Sequence, residues 1–291
     1  FDLAGHGNRF VVGANLHAGD TDARRFVNLN GRKGDLRADQ DERALNIDLY
    51  GENAFFVSPA FSLVLGMQFN YAERETTDHF LADGDGSVDQ TYASLNPKLG
   101  FVWEPGPSWQ VFGNVSRSSE VPTFSELSPT AQTAFAAIDP QKAITAEIGS
   151  RGRMGRIGWD VAAYRAWIRD ELQLFDAGNG ATFALNADKT IHQGVEIGLD
   201  AVVVQGLVEG GAAPDDLWLR TAYTFSDFRF DGDDAFGNNE LPGAPRHYVR
   251  AELLYRHPAG FFVGPNVEWV PEAYYVDNAN TVDTKPYALL G

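Results

Sequence analysis

Histidines and cysteines are the side chains that most often hold a metal ion or carry nucleophilic chemistry. The histidines here lie in separate segments, without the close spacing of a ligand set such as His-Glu-x-x-His. Cysteine is absent, which excludes a thiolate metal site, a cysteine nucleophile and a disulfide framework. The sequence therefore predicts no bound metal or cofactor. The histidines are His6, His17, His79, His192, His247 and His257.

Carboxylates are the next group that could do chemistry, as cation ligands or as acids and bases. Aspartate clusters at residues 83–89 and 231–234 offer oxygen atoms to Ca²⁺, but the first has glycine at the wrong step for an EF-hand and no closing glutamate. We interpret both as soluble extracellular turns. Glu120 and Glu126 flank a loop, yet nothing positions them as a glycosidase pair. Gly-x-Ser-x-Gly and phosphate-binding glycine loops are also absent, so we expect no enzyme.

The charge and hydropathy of the chain limit its partners. The formal net charge is −17, and the resulting field repels phosphate backbones, so no nucleic-acid partner is expected. No run approaches the roughly 18 consecutive apolar residues of a transmembrane helix. A transmembrane β-barrel remains open, because its strands alternate and leave no hydropathy peak.

The elements that must position these residues show a period of two, which is typical of β-strands. Apolar side chains recur at every second position in several segments, with polar side chains between them. Alternation alone fits a soluble sandwich as well as a barrel. The apolar set is Leu45, Ile47, Leu49, Phe61, Leu63, Leu65, Met67, Phe69, Tyr71, Leu95, Leu99, Phe101, Trp103, Val249, Ala251, Leu253 and Tyr255. The polar set includes Asn46, Asp48, Ser62, Gln68, Asn70, Arg74, Ser94, Asn96, Lys98, Arg250, Glu252 and Arg256.

The connections between the predicted strands favour the barrel. Short turns and long polar loops alternate along the chain, as in outer-membrane barrels with periplasmic turns below and extracellular loops above. Short turns are predicted at residues 58–60, 104–107, 154–156 and 257–260, with one longer exception at 203–216. Long loops are predicted at residues 19–41, 76–91, 120–141, 176–181, 231–243 and 276–285.

Aromatic residues bracket the short turns, as in the interfacial girdle of a membrane barrel. The alternative is that aromatic residues simply favour strands. Segments such as residues 157–175 also exceed the five or six residues of an ordinary soluble strand. We therefore predict about a dozen antiparallel strands of a transmembrane β-barrel. The bracketing aromatics are Phe55, Phe56, Phe61, Trp103, Trp109, Trp159, Tyr255, Phe261 and Phe262.

Five short segments, in their order and spacing, resemble TonB-dependent outer-membrane receptors. Residues 96–105, ending Phe-Val-Trp-Glu-Pro, precede residues 109–127, where a strand ending in Ser-Arg-Ser runs into a loop with Val-Pro-Thr-Phe-Ser-Glu-Leu. Residues 146–152 (Ala-Glu-Ile-Gly-Ser-Arg-Gly), 192–200 (His-Gln-Gly-Val-Glu-Ile-Gly-Leu-Asp) and 241–247 (Leu-Pro-Gly-Ala-Pro-Arg-His) follow in the family's order. The resemblance covers most of the chain from about Leu45.

The resemblance implies a bacterial outer-membrane barrel of about 22 strands with an N-terminal plug and a TonB box. Neither the plug nor the terminal closing strand is readable here. We therefore expect residues 1–291 to form a partial barrel domain, an open and strongly curved sheet with two unpaired edges.

The resemblance also implies active uptake of a scarce ligand, such as a ferric siderophore, driven by the TonB complex. The other expected partners are outer-membrane lipid and lipopolysaccharide. An anionic iron chelate would need cationic groups and aromatic platforms in the lumen or near the long loops. The candidates are Arg74, His79, Phe80, Tyr92, Arg117, Phe175, Phe228, Phe230, Tyr274 and Tyr275, with Arg165 and Arg250 as further strand arginines.

Three other functions remain open at this point. A vitamin or glycan receptor would share the same wall, and so would a passive porin. A soluble, carbohydrate-binding β-sandwich is the alternative from another class. It predicts that Leu63, Leu65, Met67 and Phe69 pack against a second sheet, whereas the membrane hypothesis predicts that they face outward.

Overall fold

A single antiparallel sheet of fourteen strands contains almost all of the regular structure in the described part of the chain. The computed structural model describes residues 2–3, 5–127, 138–176, 182–208 and 214–291, without the side chains of residues 3, 174–176, 182 and 183. The strands are β1 (Asp2–Leu3), β2 (His6–Leu29), β3 (Arg32–Ser58), β4 (Phe61–Asp78), β5 (Val88–Gly106), β6 (Trp109–Glu120), β7 (Gln141–Met154), β8 (Ile157–Asp176), β9 (Thr182–Gln205), β10 (Asp216–Phe230), β11 (His247–Arg256), β12 (Phe262–Val263), β13 (Asn266–Val270) and β14 (Tyr287–Leu290). A 3₁₀ turn (Leu81–Asp83) and one short helix, α1 (Phe124–Leu127), lie in the loops.

Each strand pairs with its neighbour in sequence, except that β11 pairs with both β12 and β13. Within the described residues, β1 and β14 end the path and do not pair with each other, so the sheet is open as predicted. No described helix is long and apolar enough to cross a membrane.

The register brings like residues together and gives the sheet two chemically different faces. Between β4 and β5, Leu65 lies opposite Leu99, whereas Asn70 lies opposite Ser94. We call the side of Leu65 the apolar face and the side of Asn70 the polar face. Leu65 and Leu99 are 55% and 56% exposed, whereas Ser62 on the polar face is buried. Because no second layer covers the apolar face in the described structure, the sandwich hypothesis is wrong.

The connections alternate in length, but the first predicted long loop is wrong. Residues 19–41 continue β2 and β3, which meet at a two-residue turn. Asn30 and Gly31 there have φ of 51° and 86°, and paired positive φ values are the signature of a type I′ hairpin turn, for which Asn-Gly is a preferred sequence. The polar residues 19–41 remain β-strand because their backbone groups pair between β2 and β3 within the hairpin.

The other predicted connections differ in extent from the structure or fall partly outside the described residues. The loops predicted at 231–243 and 276–285 are longer in the structure, where they cover residues 231–246 and 271–286. The loop predicted at 76–91 is confined to residues 79–87, because β4 and β5 extend into it. Residues 176–181, 120–141 and 203–216 include positions that lie outside the described part of the chain.

Glycines on several strands lie directly beneath aromatic rings of the neighbouring strand. A Cβ added to Gly149 would stand 2.4 Å from the Phe112 ring and 2.8 Å from the Val161 carbonyl oxygen. Gly13 similarly faces Tyr50, Gly113 faces Phe101, Gly152 faces Trp159 and Gly194 faces Tyr164. The rings cover the backbone where glycine supplies no side chain, which stabilises long strands that would otherwise lose packing at these positions.

Candidate ligand-binding surface

The middle of the polar face carries a continuous hydrogen-bond network across three strands. Asn70 on β4 donates to Asp48 on β3 at 2.5 Å, and Asn96 on β5 donates to Asn70 at 2.5 Å. Ser94 contributes a further hydroxyl, 3.4 Å from Asn70. These groups make this part of the wall hydrophilic and give it both donors and acceptors. Sequence reasoning placed these residues on the polar side but did not single them out, although their alternation with leucines is the signal that finds them.

Arg74, a predicted ligand residue, lies on the polar face near the end of β4, where it contacts the loop between β6 and β7. Its guanidinium donates to the Pro122 carbonyl at 3.3 Å, to the Glu73 carbonyl at 2.9 Å and to Asn46 Oδ1 at 3.0 Å. The side chain is buried, and the ring of Phe124 lies 6.0 Å from it. Arg74 therefore anchors the start of the loop that contains α1, and its donors are already engaged by the protein.

Tyr92 lies on the next strand of the same face and anchors the other end of that loop. Its hydroxyl donates to the Ile138 carbonyl at 3.5 Å, and the ring is buried. Near this anchor, Leu127, Ile138 and Ala184 form a small buried cluster. The structure thus brings the predicted residues Arg74 and Tyr92 together, in support of a loop rather than as an open contact surface.

His79 and Phe80 begin the loop between β4 and β5. The imidazole Nε2 of His79 lies 2.9 Å from Asp41 Oδ2 on β3. This hydrogen bond raises the pKa of His79 and lowers the pKa of Asp41, in each case as the largest cause. His79 is solvent-exposed and Phe80 is half-buried, so both side chains are at least partly accessible at this end of the sheet.

A second cluster, which sequence reasoning missed in part, lies on β8, β9 and β10. Phe228, a predicted residue, stacks on His192 with ring centroids 4.3 Å apart. His192 Nε2 lies 3.2 Å from the buried Glu171 carboxylate, which also accepts a hydrogen bond from Thr190. Asp170 has φ of 55° and shifts the side-chain alternation of β8, which turns Glu171 toward Thr190 and His192. No local sequence signal revealed this kink.

Tyr274 and Tyr275 lie in the long segment between β13 and β14, which packs on the loop between β10 and β11. The Tyr275 carbonyl accepts a hydrogen bond from the Gly243 amide at 2.8 Å, and Asn280 Nδ2 donates to the Glu240 carbonyl at 2.9 Å. Both tyrosines are half-buried. Their rings therefore border a folded loop pair with a defined position.

Two of the predicted contact residues, Phe230 and Arg117, are not accessible on the polar face. Phe230 is fully buried in a cluster with Ala187 and Leu241, because the loop that follows β10 folds over it. Arg117 points away from the lumen wall, since it lies opposite Ile144 on the apolar face. The backbone of Phe175 pairs with residue 183, but its side chain lies outside the described residues.

The aspartate clusters form turns. Asp85 accepts a hydrogen bond from the amide of Ser87, and Asp233 accepts hydrogen bonds from the amides of Ala235 and Phe236. Within the described residues, no group of three or more His, Cys, Asp or Glu side chains is arranged to hold a metal ion. The carboxylates cap turns by satisfying backbone donors.

Solved structures of outer-membrane transporters share this fold. The siderophore receptor PiuA from Acinetobacter baumannii is 17% identical, with a TM-score of 0.75 over 100% of this chain and 47% of its own. The ferric citrate transporter FecA is 18% identical, with a TM-score of 0.78 over 100% of this chain and 44% of its own. The copper transporter OprC is 14% identical, with a TM-score of 0.76 over 97% of this chain and 45% of its own. The chain therefore spans slightly less than half the length of these structures.

A family model described as a TonB dependent receptor-like β-barrel matches residues 1–291. The match covers the whole sequence, and the two faces of the sheet agree with a wall that separates lipid from a water-filled lumen. The chain belongs to the TonB-dependent receptors of the bacterial outer membrane, within their β-barrel domain.

Proposed function

We propose that this chain forms part of the wall of a TonB-dependent transporter that takes up a ferric siderophore across the outer membrane. The observation that carries the proposal is the match of the whole chain to the receptor barrel. The transporter performs no catalysis. It binds the chelate at the extracellular side, and the TonB complex drives entry.

The ligand class is supported by the relatives and by the chemistry of the wall. Solved structures with the same fold include a siderophore receptor, a ferric citrate transporter and a ferric-catecholate import receptor. Aromatic rings and hydrogen-bond donors suit a chelate that shields its own iron.

The domain organisation follows as a second part of the proposal. The structures with this fold are more than twice as long as the chain. We infer that residues 1–291 are one portion of a barrel of about 22 strands whose lumen holds a plug. Nucleic acid is not a partner, because the net charge is −17.

The ligand contacts are assigned to the groups that remain accessible above the polar face. His79 and Phe80 border one loop, and Tyr274 and Tyr275 border another. The imidazole offers a cation to an anionic chelate, and the aromatic rings offer flat contact surfaces. Arg250 on the polar face of β11 is a further cation, with its Nε 3.9 Å from Glu268 Oε1.

The test is uptake of radiolabelled iron by cells that express the complete receptor containing this chain. A panel of ferric catecholate, hydroxamate and citrate complexes should identify at least one substrate whose uptake stops when tonB is deleted. Uptake that continues without tonB would favour a passive porin. Transport of a vitamin or glycan, with none of the iron complexes, would replace the siderophore assignment.

The contact residues are tested with a double variant, Tyr274→Ala with Tyr275→Ala. We expect weaker binding of the transported chelate with an unchanged amount of folded receptor in the membrane. The matched control is Phe261→Ala with Phe262→Ala, which removes two exposed aromatic rings at the opposite, short-turn end. Equal binding by both double variants and the unmodified receptor would remove the tyrosines from the site.

A further inference from the structure

The hairpin of β2 and β3 carries a strong positive charge beyond the sheet. Residues 24–38 contain five basic side chains and a single carboxylate, in a chain whose formal net charge is −17. We call this segment the basic hairpin. Three of its basic side chains are exposed and have no ion pair among the described residues, so their charge faces outward: Arg32, Lys33 and Arg37.

Apolar side chains lie among these charges. Val27 and Leu29 are 40% and 58% exposed on β2, and Leu36 is 36% exposed on β3. Exposed apolar side chains beside arginines are typical of a protein–protein interface. A two-stranded ribbon is also only marginally stable by itself, so a protein that packs on the basic hairpin would stabilise it.

A surface of the opposite charge lies next to the hairpin, in and around the loop between β4 and β5. Asp83, Asp85 and Asp89 are exposed, and none of them has an ion pair among the described residues. Leu81 in the same loop is 63% exposed. We call residues 78–89, which contain no lysine or arginine, the acidic loop. It therefore matches the basic hairpin in charge and also offers an apolar contact.

Contacts at the base of the hairpin hold the acidic loop beside it. The His79 amide donates to the Asp39 carbonyl at 2.8 Å, and the His79 imidazole lies 2.9 Å from Asp41 Oδ2. The turn at Gly31 lies nine residues beyond Gln40, where pairing with β4 begins. This is about 30 Å along the ribbon, at roughly 3.3 Å per residue. Among the described residues, no ion pair joins the basic hairpin to the acidic loop, so the two charges remain unmatched within one copy.

We propose that the receptor pairs with a second copy of itself in the membrane, with the basic hairpin of each copy against the acidic loop of the other. The two surfaces lie side by side on one rim of the sheet, so a two-fold axis between two barrels forms both contacts at once. Opposite charges attract across each contact, and Leu29 and Leu81 are removed from water. The membrane holds the rims of the two copies at the same height. The proposal does not depend on the identity of the transported ligand.

The test measures energy transfer between donor-labelled and acceptor-labelled copies of the complete receptor in phosphatidylcholine bilayers at low ionic strength. The hairpin variant combines Arg32→Glu, Lys33→Glu and Arg37→Glu. The loop variant combines Asp83→Lys, Asp85→Lys and Asp89→Lys. In either variant alone, the hairpin and the loop have the same sign of charge, so the association constant should fall roughly tenfold.

The decisive measurement mixes the two variants. A pair made of one hairpin variant and one loop variant has opposite charges at both contacts, so association should return to about the level of the unmodified receptor. This recovery also excludes misfolding as the cause of the loss in each variant alone. A mixture that associates no better than the separate variants would overturn the proposal, because a contact within one copy does not respond to mixing.

Two controls separate this pairing from general adhesion. A variant with Asp231→Lys, Asp234→Lys and Asp283→Lys makes the same change of charge at exposed positions in the other loops and should leave association unchanged. An equal loss in this control would overturn the proposal. So would an unmodified receptor that stays monomeric at every surface density, or pairing that forms only after lipopolysaccharide is added, since a glycolipid would then bridge the copies.

Discussion

Single glycines allow aromatic rings to pack directly over the backbone of a neighbouring strand. Gly149→Ala places a methyl group 2.4 Å from the Phe112 ring and 2.8 Å from a backbone oxygen that cannot move aside. We expect a loss of about 1–3 kcal/mol in the free energy of unfolding, as for other overpacked sites. Gly198→Ala is the control, because the nearest atom to its new methyl group would be 3.7 Å away. Urea unfolding of the receptor in detergent compares the two, and equal midpoints would contradict the packing argument.

The His79–Asp41 pair predicts a pH dependence at the extracellular end. His79 has a raised pKa, so its contribution to stability is complete below its usual value of 6.5 and is lost as pH rises through the raised value. Asp41 has a lowered pKa, so its contribution is complete above 3.8 and is lost as pH falls through the lowered value. The pair therefore stabilises the loop fully between pH 3.8 and 6.5.

The pair is checked by an NMR titration of the His79 imidazole carbons. Asp41→Asn should lower the pKa of His79, because its hydrogen bond to the carboxylate is the largest cause of the shift. Asp35→Asn removes the same charge from an exposed site on the hairpin and should have a smaller effect. A His79 pKa that does not respond to Asp41→Asn would show that the contact is not formed in solution.

At the scale of elements, the first hairpin projects beyond the sheet. Residues of β3 before Gln40 pair only with β2, because pairing with β4 begins at Gln40. Gly31→Ala forces a side chain into a left-handed conformation at a cost of about 1–2 kcal/mol. Hydrogen exchange of amides in residues 24–38 should become roughly tenfold faster. Gly19→Ala is the control, because its new methyl group would have no atom within 4 Å and its φ is not positive, so amide exchange should not change. Similar exchange rates in the two variants would contradict the turn assignment.

The alternation of β4 predicts opposite tolerances on its two faces. Leu65→Arg places a cation among exposed aliphatic side chains and should cost about 2–4 kcal/mol if Leu65 lies near the bilayer midplane. Gln68→Arg places the same side chain on the polar face and should cost little. Unfolding of the complete receptor from lipid bilayers measures both, and equal tolerance would reverse the assigned faces.

Local patterns in the sequence predicted the strands, their faces and the alternation of turns, because each depends on near neighbours. The hairpin at residues 19–41 was missed although Asn30-Gly31 carried its signal, since polar composition was interpreted as a loop. Arg74 and Phe230 could not be placed, because their burial depends on loops that return from distant positions. The turn of Glu171 toward His192 depends on one backbone kink at Asp170, which residue type alone does not reveal.

At the scale of the whole molecule, the tryptophans can report which face of the sheet meets lipid and which meets water. Trp103, Trp109, Trp159, Trp167 and Trp269 lie on the apolar face, whereas Trp218 lies on the polar face between Arg220 and Arg256. With fluorotryptophan in the complete receptor, doxyl-labelled lipids should broaden the ¹⁹F resonances of the first five. The Trp218 resonance should stay sharp and respond to a soluble paramagnetic reagent instead. Single Trp→Phe variants assign the signals, and lipid broadening of Trp218 equal to that of Trp103 would mean that both faces meet lipid, which a transporter wall does not allow.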